Sequence, residues 1–292
     1  MCSEVRRMFR PKLFRAVAAA VVGAIPFGLA VCAVTLPAAA SAARVPRPAH
    51  TIVIVEENKT LAQIIGNGAA PFINALAKRG ALFTDAHGVT HPSLPNYLAL
   101  FAGVTNDNGD GCPATGMSPN APSLASELLA AHFTFTGYAE ALPAQGSSVC
   151  AAGTYARKHA PWTMFSNIPA ADSKAFSAFP SYDALPTVAF VIPDVDDDMH
   201  DGTIGQGDGW LQAHLASLVR WADKHDSLVV LTWDEGYDAA NSIPTILFGP
   251  MVRPGRYAEP INHYNVLRTL EDAYGLRPTG KASTARPLTC WR

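Results

Sequence analysis

The feature that most constrains this chain is a repeated one: short apolar runs, rich in β-branched residues, that stop abruptly at acids. Thr51-Ile52-Val53-Ile54-Val55 gives way at once to Glu56-Glu57-Asn58, and Leu228-Val229-Val230-Leu231-Thr232 is followed closely by Asp234-Glu235. A third run, Val188-Ala189-Phe190-Val191-Ile192, opens into a loop carrying Asp194, Asp196, Asp197, Asp198, His200 and Asp201. Runs without polar alternation suit strands buried on both faces, which belong to parallel sheets covered by helices. The segments between them supply those helices. Residues 71–80 begin with Pro, place apolar residues at helical spacing, and end in Lys78, Arg79 and Gly80, the signals of a short helix. Trp210, Leu211, His214, Leu215, Leu218 and Ala222 mark one face of another, and residues 264–274 a closing one. Further strands are expected at residues 81–85, 133–138 and 243–248, and residues 142–182 read mostly as loops. The pattern predicts a single-domain α/β sandwich with a largely parallel central sheet. In such sheets ligands gather beyond the carboxyl ends of the strands, so the acidic strand ends mark where a site is expected.

The amino terminus has a different character. Arg6, Arg7, Arg10, Lys12 and Arg15 precede an apolar run from Ala16 to Leu36, and Ala40-Ser41-Ala42 meets the small-residue cleavage rule. Residues 1–42 are therefore expected to be a secretory signal peptide, residues 43–49 a short lead-in, and residues 50–292 the folded domain. Gly23, Pro26 and Gly28 interrupt the run, which favours cleavage over a retained membrane anchor, and a secreted or periplasmic location follows. Without residues 1–42 the chain holds 17 Lys and Arg against 23 acids, a formal charge of −6. That balance argues against a nucleic-acid partner, which requires a basic surface. Three cysteines remain, Cys112, Cys150 and Cys290. An exported protein is expected to pair two of them, and none has the C-x-x-C spacing of a zinc or redox site.

Glu57, Asn58, Asp234 and Glu235 form an oxygen-rich, thiolate-free set suited to a hard divalent cation of the Mg²⁺, Ca²⁺ or Mn²⁺ class. Ser93 lies in Thr90-His91-Pro92-Ser93-Leu94-Pro95-Asn96-Tyr97, where two prolines and a following apolar stretch place it at a helix N-terminus. Backbone N–H groups favour anions at that position, although an ordinary N-cap would use the same serine. The loop at residues 194–201 is not an EF-hand, because the twelfth position from Asp194 is Gly205. His200 in that loop reads as a phosphate contact or proton handler, and His263, before the last helix, carries a weaker signal.

In matching order, Val55-Glu56-Glu57-Asn58, Thr90 to Tyr97, Tyr155-Ala156-Arg157-Lys158-His159, Asp198-Met199-His200-Asp201-Gly202, Gly205-Gln206-Gly207-Asp208, Thr232-Trp233-Asp234-Glu235 and His263-Tyr264-Asn265-Val266-Leu267 resemble the bacterial phosphoesterase family. That family contains secreted acid phosphatases and phospholipases C and is related to the alkaline-phosphatase fold. The resemblance implies a metal-dependent phosphatase in which Ser93 is transiently phosphorylated. It further implies that Glu57, Asn58, Asp234 and Glu235, with the Ser93 oxygen, hold one metal ion. His91, His200 and His263 would surround the phosphate, with Asn96 and Lys59 also contacting substrate and His200 assisting the leaving group. It implies a Cys112–Cys150 disulfide, leaving Cys290 without a counterpart. The expected substrate is a phosphorylated small molecule or phospholipid headgroup, phosphoinositides included. Other readings of the same residues are a phospholipase C acting on diesters, a serine acyl hydrolase, and an exported calcium-binding module.

Overall fold

Eight strands form the central sheet of the computed structural model, which describes residues 44–292. The expected signal peptide lies outside the described residues. The strands are β1 (Thr51–Glu56), β2 (Ala81–Phe83), β3 (Phe135–Ala139), β4 (Ser173–Ala175), β5 (Val188–Ile192), β6 (Leu228–Trp233), β7 (Thr245–Phe248) and β8 (Gly255–Tyr257). Their spatial order is β8-β2-β7-β6-β1-β5-β3-β4. All neighbours pair in parallel except around β7, which runs antiparallel to both β2 and β6. The largely parallel expectation therefore holds with one reversed strand. Residues 142–182, expected to be mostly loop, contribute β4 at one edge.

The central strands are buried at every position, as their unbroken apolar runs require. The principal helices are α1 (Pro71–Arg79), α2 (Ser93–Ala102), α3 (Leu124–Ala130), α4 (Ile204–Ala222) and α5 (His263–Tyr274). They pack as two sets, α1 with α4, and α2 with α3 and α5. Strand alternation assigns each set its face. Phe190 of β5 and Phe135 of β3 meet Phe101 of α2, and the Thr51 hydroxyl bonds Tyr274 of α5 at 2.8 Å. On the other face Tyr138 meets Phe179, and the next residue of that parity, Glu140, accepts from Trp210 of α4 at 3.0 Å.

Two details fix α2 and the approach to it. Gly103 ends the helix with φ 68°, a left-handed value suited to glycine, and lies so close to the Thr279 carbonyl that a Cβ would clash. A Cys112–Cys150 disulfide ties the loop after α2 to the small hairpin formed by residues 151–156. Cys290 is buried, and burial pushes its thiol up to about 12. The lead-in is packed, with Val45 and Pro48 buried, and the described residues fall in one compact unit, Ala43–Arg292.

Candidate active site

Register brings the acids of two strands together. Glu57, the first residue beyond β1, has the parity of Thr51 and so faces α2, while Asp234 follows β6 level with it and donates its N–H to the Glu56 carbonyl at 3.0 Å. Asn58 adopts a left-handed conformation, φ 60°, which asparagine tolerates better than most residues. Its N–H donates to Asp234 Oδ1 at 3.0 Å. Ser93 is the first residue of α2, and its buried hydroxyl donates to Glu57 Oε2 at 3.0 Å. Glu235 is turned toward the loop before α2, where Oε2 accepts from His91 Nδ1 at 2.6 Å.

Glu57 Oε1, Asn58 Oδ1, Asp234 Oδ2 and Glu235 Oε1 are buried without a hydrogen-bond partner. Unpartnered buried oxygens are costly, and this hard, all-oxygen donor set fits a divalent cation. Electrostatics agree. Burial, and then the neighbouring Glu235, raises Asp234 to about 8, while burial and then Asp234 push Glu57 well above the usual carboxylate range. Among the described residues, donor atoms of Glu57, His159 and His200 lie within 4.8 Å of one another, whereas Glu57, Asp234 and Glu235 do not make such a triplet. Hydrogen bonds join Ser93 to Glu57 and Asn58 to Asp234, and Glu235 is held beside His91.

Several residues without a role assigned from the sequence line the same hollow. His159 is fully buried and stacked on Tyr97, with Nε2 3.1 Å from Glu57 Oε1 and Nδ1 2.9 Å from Asp198 Oδ2. Both approaches lie off the N–H directions, so the two carboxylate oxygens remain unpartnered. Burial, and then Lys158 and His200, holds the His159 imidazole well below its ordinary value. Lys158 Nζ donates to Asp110 Oδ2 at 2.8 Å and lies 3.3 Å from His200 Nε2. Asp110 Oδ1 in turn accepts from the Leu94 N–H at 2.9 Å. A carboxylate thus occupies one of the α2 N-terminal donors expected to face substrate. The motif around residues 155–159 carried these groups in the sequence, but no spacing rule links it to Ser93.

Four of the expected site residues have hydrogen-bond partners within the protein. Asn96 is fully buried, its Oδ1 accepts from Val89 and Thr90 N–H, and its Nδ2 donates to the Thr90 and Pro92 carbonyls. It shapes the loop that carries His91. Lys59 donates to the Met199 carbonyl at 2.6 Å, and burial lowers its ammonium pKa. His263 Nε2 donates to the Asp234 carbonyl at 2.6 Å. Since a carbonyl only accepts, the proton sits on Nε2, and burial lowers the pKa to about 4, leaving Nδ1 as an acceptor. His200 Nδ1 pairs with Asp201 Oδ1 at 2.7 Å, and because lysine only donates, Nε2 accepts from Lys158.

The fold is that of the alkaline-phosphatase superfamily. A protein of that superfamily from Vibrio parahaemolyticus superposes with a TM-score of 0.59 at 13% identity, covering 83% of this chain and 70% of its own. A phosphonate monoester hydrolase from Silicibacter pomeroyi gives 0.54 at 15% identity, covering 83% and 76%. Residues 67–277 match the phosphoesterase family, and the chain belongs to that family. It is 55% identical to the phosphatidylinositol-3-phosphatase of Mycobacterium tuberculosis over 254 residues, 85% of this chain and 84% of that one. It is 30% identical to an acid phosphatase of Aspergillus fumigatus over 232 residues, 70% of this chain but only 51% of the fungal protein.

Proposed function

We propose that this protein is a metal-dependent phosphatase that hydrolyses phosphomonoesters through a phosphoserine on Ser93. The observation that carries the reading is the Ser93 hydroxyl donating to buried Glu57 at 3.0 Å, within a group that includes the unpartnered oxygens of Asn58 and Asp234. Glu57, Asn58, Asp234 and the Ser93 oxygen would hold the cation, with Glu235 as the outlying ligand. A divalent ion bound there supplies positive charge against the phosphoryl and serine oxygens. The protein's own residues do the rest. Glu57 is placed to receive the Ser93 proton as the oxygen attacks phosphorus in line. Lys158 screens the phosphate and, with His200, delivers a proton to the departing alcohol. His91, half exposed at the rim and held by Glu235, contacts the phosphoryl oxygens. Water then cleaves the phosphoserine by the reverse path.

The likeness to the mycobacterial enzyme supports phosphoinositide headgroups as substrates, alongside soluble monoesters. Among the described residues no helix is long and apolar enough to cross a membrane. Export through cleavage of residues 1–42 completes the proposal. Ser93→Ala is expected to lower aryl-phosphate turnover by at least about a thousandfold with the fold retained by circular dichroism. Exhaustive chelation should silence the wild type, with recovery on metal add-back. A folded Ser93→Ala variant with near-normal hydrolysis, or full activity in the chelated protein, overturns the mechanism.

A further inference from the structure

The Glu56-Glu57 pair divides across the sheet. Successive residues at a strand end point to opposite faces, so Glu57 serves the Ser93 side while Glu56 has the parity of Ile52 and Ile54 and faces α4. Glu56 is fully buried, and neither of its carboxylate oxygens has a hydrogen-bond partner. Its surroundings are acidic, with Asp198, Asp197, Asp208 and Glu140 around it. Lys59 shares that field, but its ammonium donates to the Met199 carbonyl.

The register shows what Glu56 faces. Ile54 is level with Val191 of β5, and Ala139 of β3 with Ile192, so Glu56 and Glu140 flank Pro193 at the same height and on the same face. Adjacent strands lie about 4.8 Å apart, so β1 and β3 stand about 9.6 Å apart across β5 and the two acids project from either side of its end. There the chain supplies Asp194 and Asp197. One oxygen from each of Glu140, Asp194 and Asp197 lies within 4.8 Å of the others, and oxygens on opposite sides of a calcium ion stand about that far apart. Each acid is already oriented. Glu140 accepts from Trp210 Nε1 at 3.0 Å and the Asp194 N–H at 3.1 Å, Asp194 accepts from Thr154 Oγ1 at 2.6 Å and the N–H groups of Asp196 and Asp197, and Asp197 accepts from Gln206 Nε2 at 3.2 Å. Such outer hydrogen bonds leave further lone pairs on ionised carboxylates and fix their direction.

We infer that Glu56, Glu140, Asp194 and Asp197 form a second cation site on the α4 face, taking a hard divalent ion of the calcium or magnesium class. It lies across the sheet from Ser93 and stands independently of the proposed reaction. Its role is structural: it ties the ends of β1, β5 and β3 and so steadies the loop that delivers Asp198 and His200 to the other face.

Terbium binding tests it, because Trp210 beside Glu140 sensitises lanthanide emission at this site. The wild type is expected to bind terbium at two separable sites, with calcium or magnesium displacing it. Glu140→Gln combined with Asp197→Asn should abolish one site and its tryptophan-sensitised emission while aryl-phosphate hydrolysis at saturating metal persists. Asp234→Asn should abolish the other. Glu56→Gln should weaken the α4-face site by about tenfold or more. Asp197→Asn alone, at a partly exposed position, gives the same comparison if the double variant does not fold. Competition by calcium at lower concentration than magnesium assigns calcium, and the reverse order assigns magnesium. Unchanged terbium affinity and emission in Asp197→Asn and Glu56→Gln, or displacement by neither cation, overturns the proposal.

Discussion

Lys158→Met is the substitution with the sharpest expected separation between activity and stability. Methionine keeps the length of the stem and removes the ammonium that contacts Asp110 at 2.8 Å and His200 at 3.3 Å. The lysine and aspartate side chains are 22% and 31% exposed, and a partly exposed pair contributes only about 0–1 kcal/mol to folding. Its contribution toward a phosphate dianion is larger. A hydrogen bond to a charged group is worth about 1.5–3 kcal/mol, and at about 1.4 kcal/mol per decade a central value of about 2 kcal/mol corresponds to a loss of about 30-fold in kcat/KM. Lys158→Arg should recover part of that loss, since the charge returns in a different shape. The assay is p-nitrophenyl phosphate hydrolysis over a range of substrate concentrations, paired with urea denaturation. A folded Lys158→Met enzyme with kcat/KM unchanged would refute the placement of Lys158 against the phosphate.

Two further outcomes test the frame around the site. Replacing Cys112 and Cys150 together by Ser opens a link between residues 38 apart, with an expected loss of about 4 kcal/mol on the loop-entropy model. Coincident urea transitions for the two proteins would contradict it. Glu271 is buried, accepts from the Thr279 N–H and hydroxyl through Oε1, leaves Oε2 unpartnered, and is raised by burial to about 7. An unfolded glutamate titrates near 4.3. The folded state therefore holds a proton that the unfolded state has released, and this contribution is complete below about pH 4.3 and lost as pH rises to about 7. Glu271→Gln should gain up to about 4 kcal/mol relative to wild type between pH 4 and pH 8. Parallel stability-against-pH curves would count against the raised pKa.

The individual residues show why some of this was legible in the sequence and some was not. Ser93 could be placed at a helix start because prolines and apolar spacing act over a few residues. The acids of β1 and β6 could be placed at strand ends for the same local reason. The partners of Ser93 could not all be found that way. Asp110, Lys158 and His159 come from an irregular loop, a 3-10 turn and its surroundings, and their approach depends on the disulfide, the packing of Tyr97 on His159 and the path of the chain after α2. Asn96 illustrates the converse. Its residue type suited substrate contact, but a buried amide takes the backbone partners nearest to it, and those were in the loop before α2.

β7 marks the same boundary on the scale of the fold. Its apolar residues announced a buried strand, yet direction is set by the connection from β6, and the short link through residues 234–244 returns the chain antiparallel. By itself the sequence determined a buried, largely parallel α/β sheet with acids at its carboxyl edge and a serine at a helix start, because those depend on local propensity and apolar patterning. Only the tertiary structure decided that Glu56 and Glu57 part to opposite faces into different surroundings, and which groups distant in the chain surround each. Strand alternation is local, but what waits on either face is set by register and long-range packing.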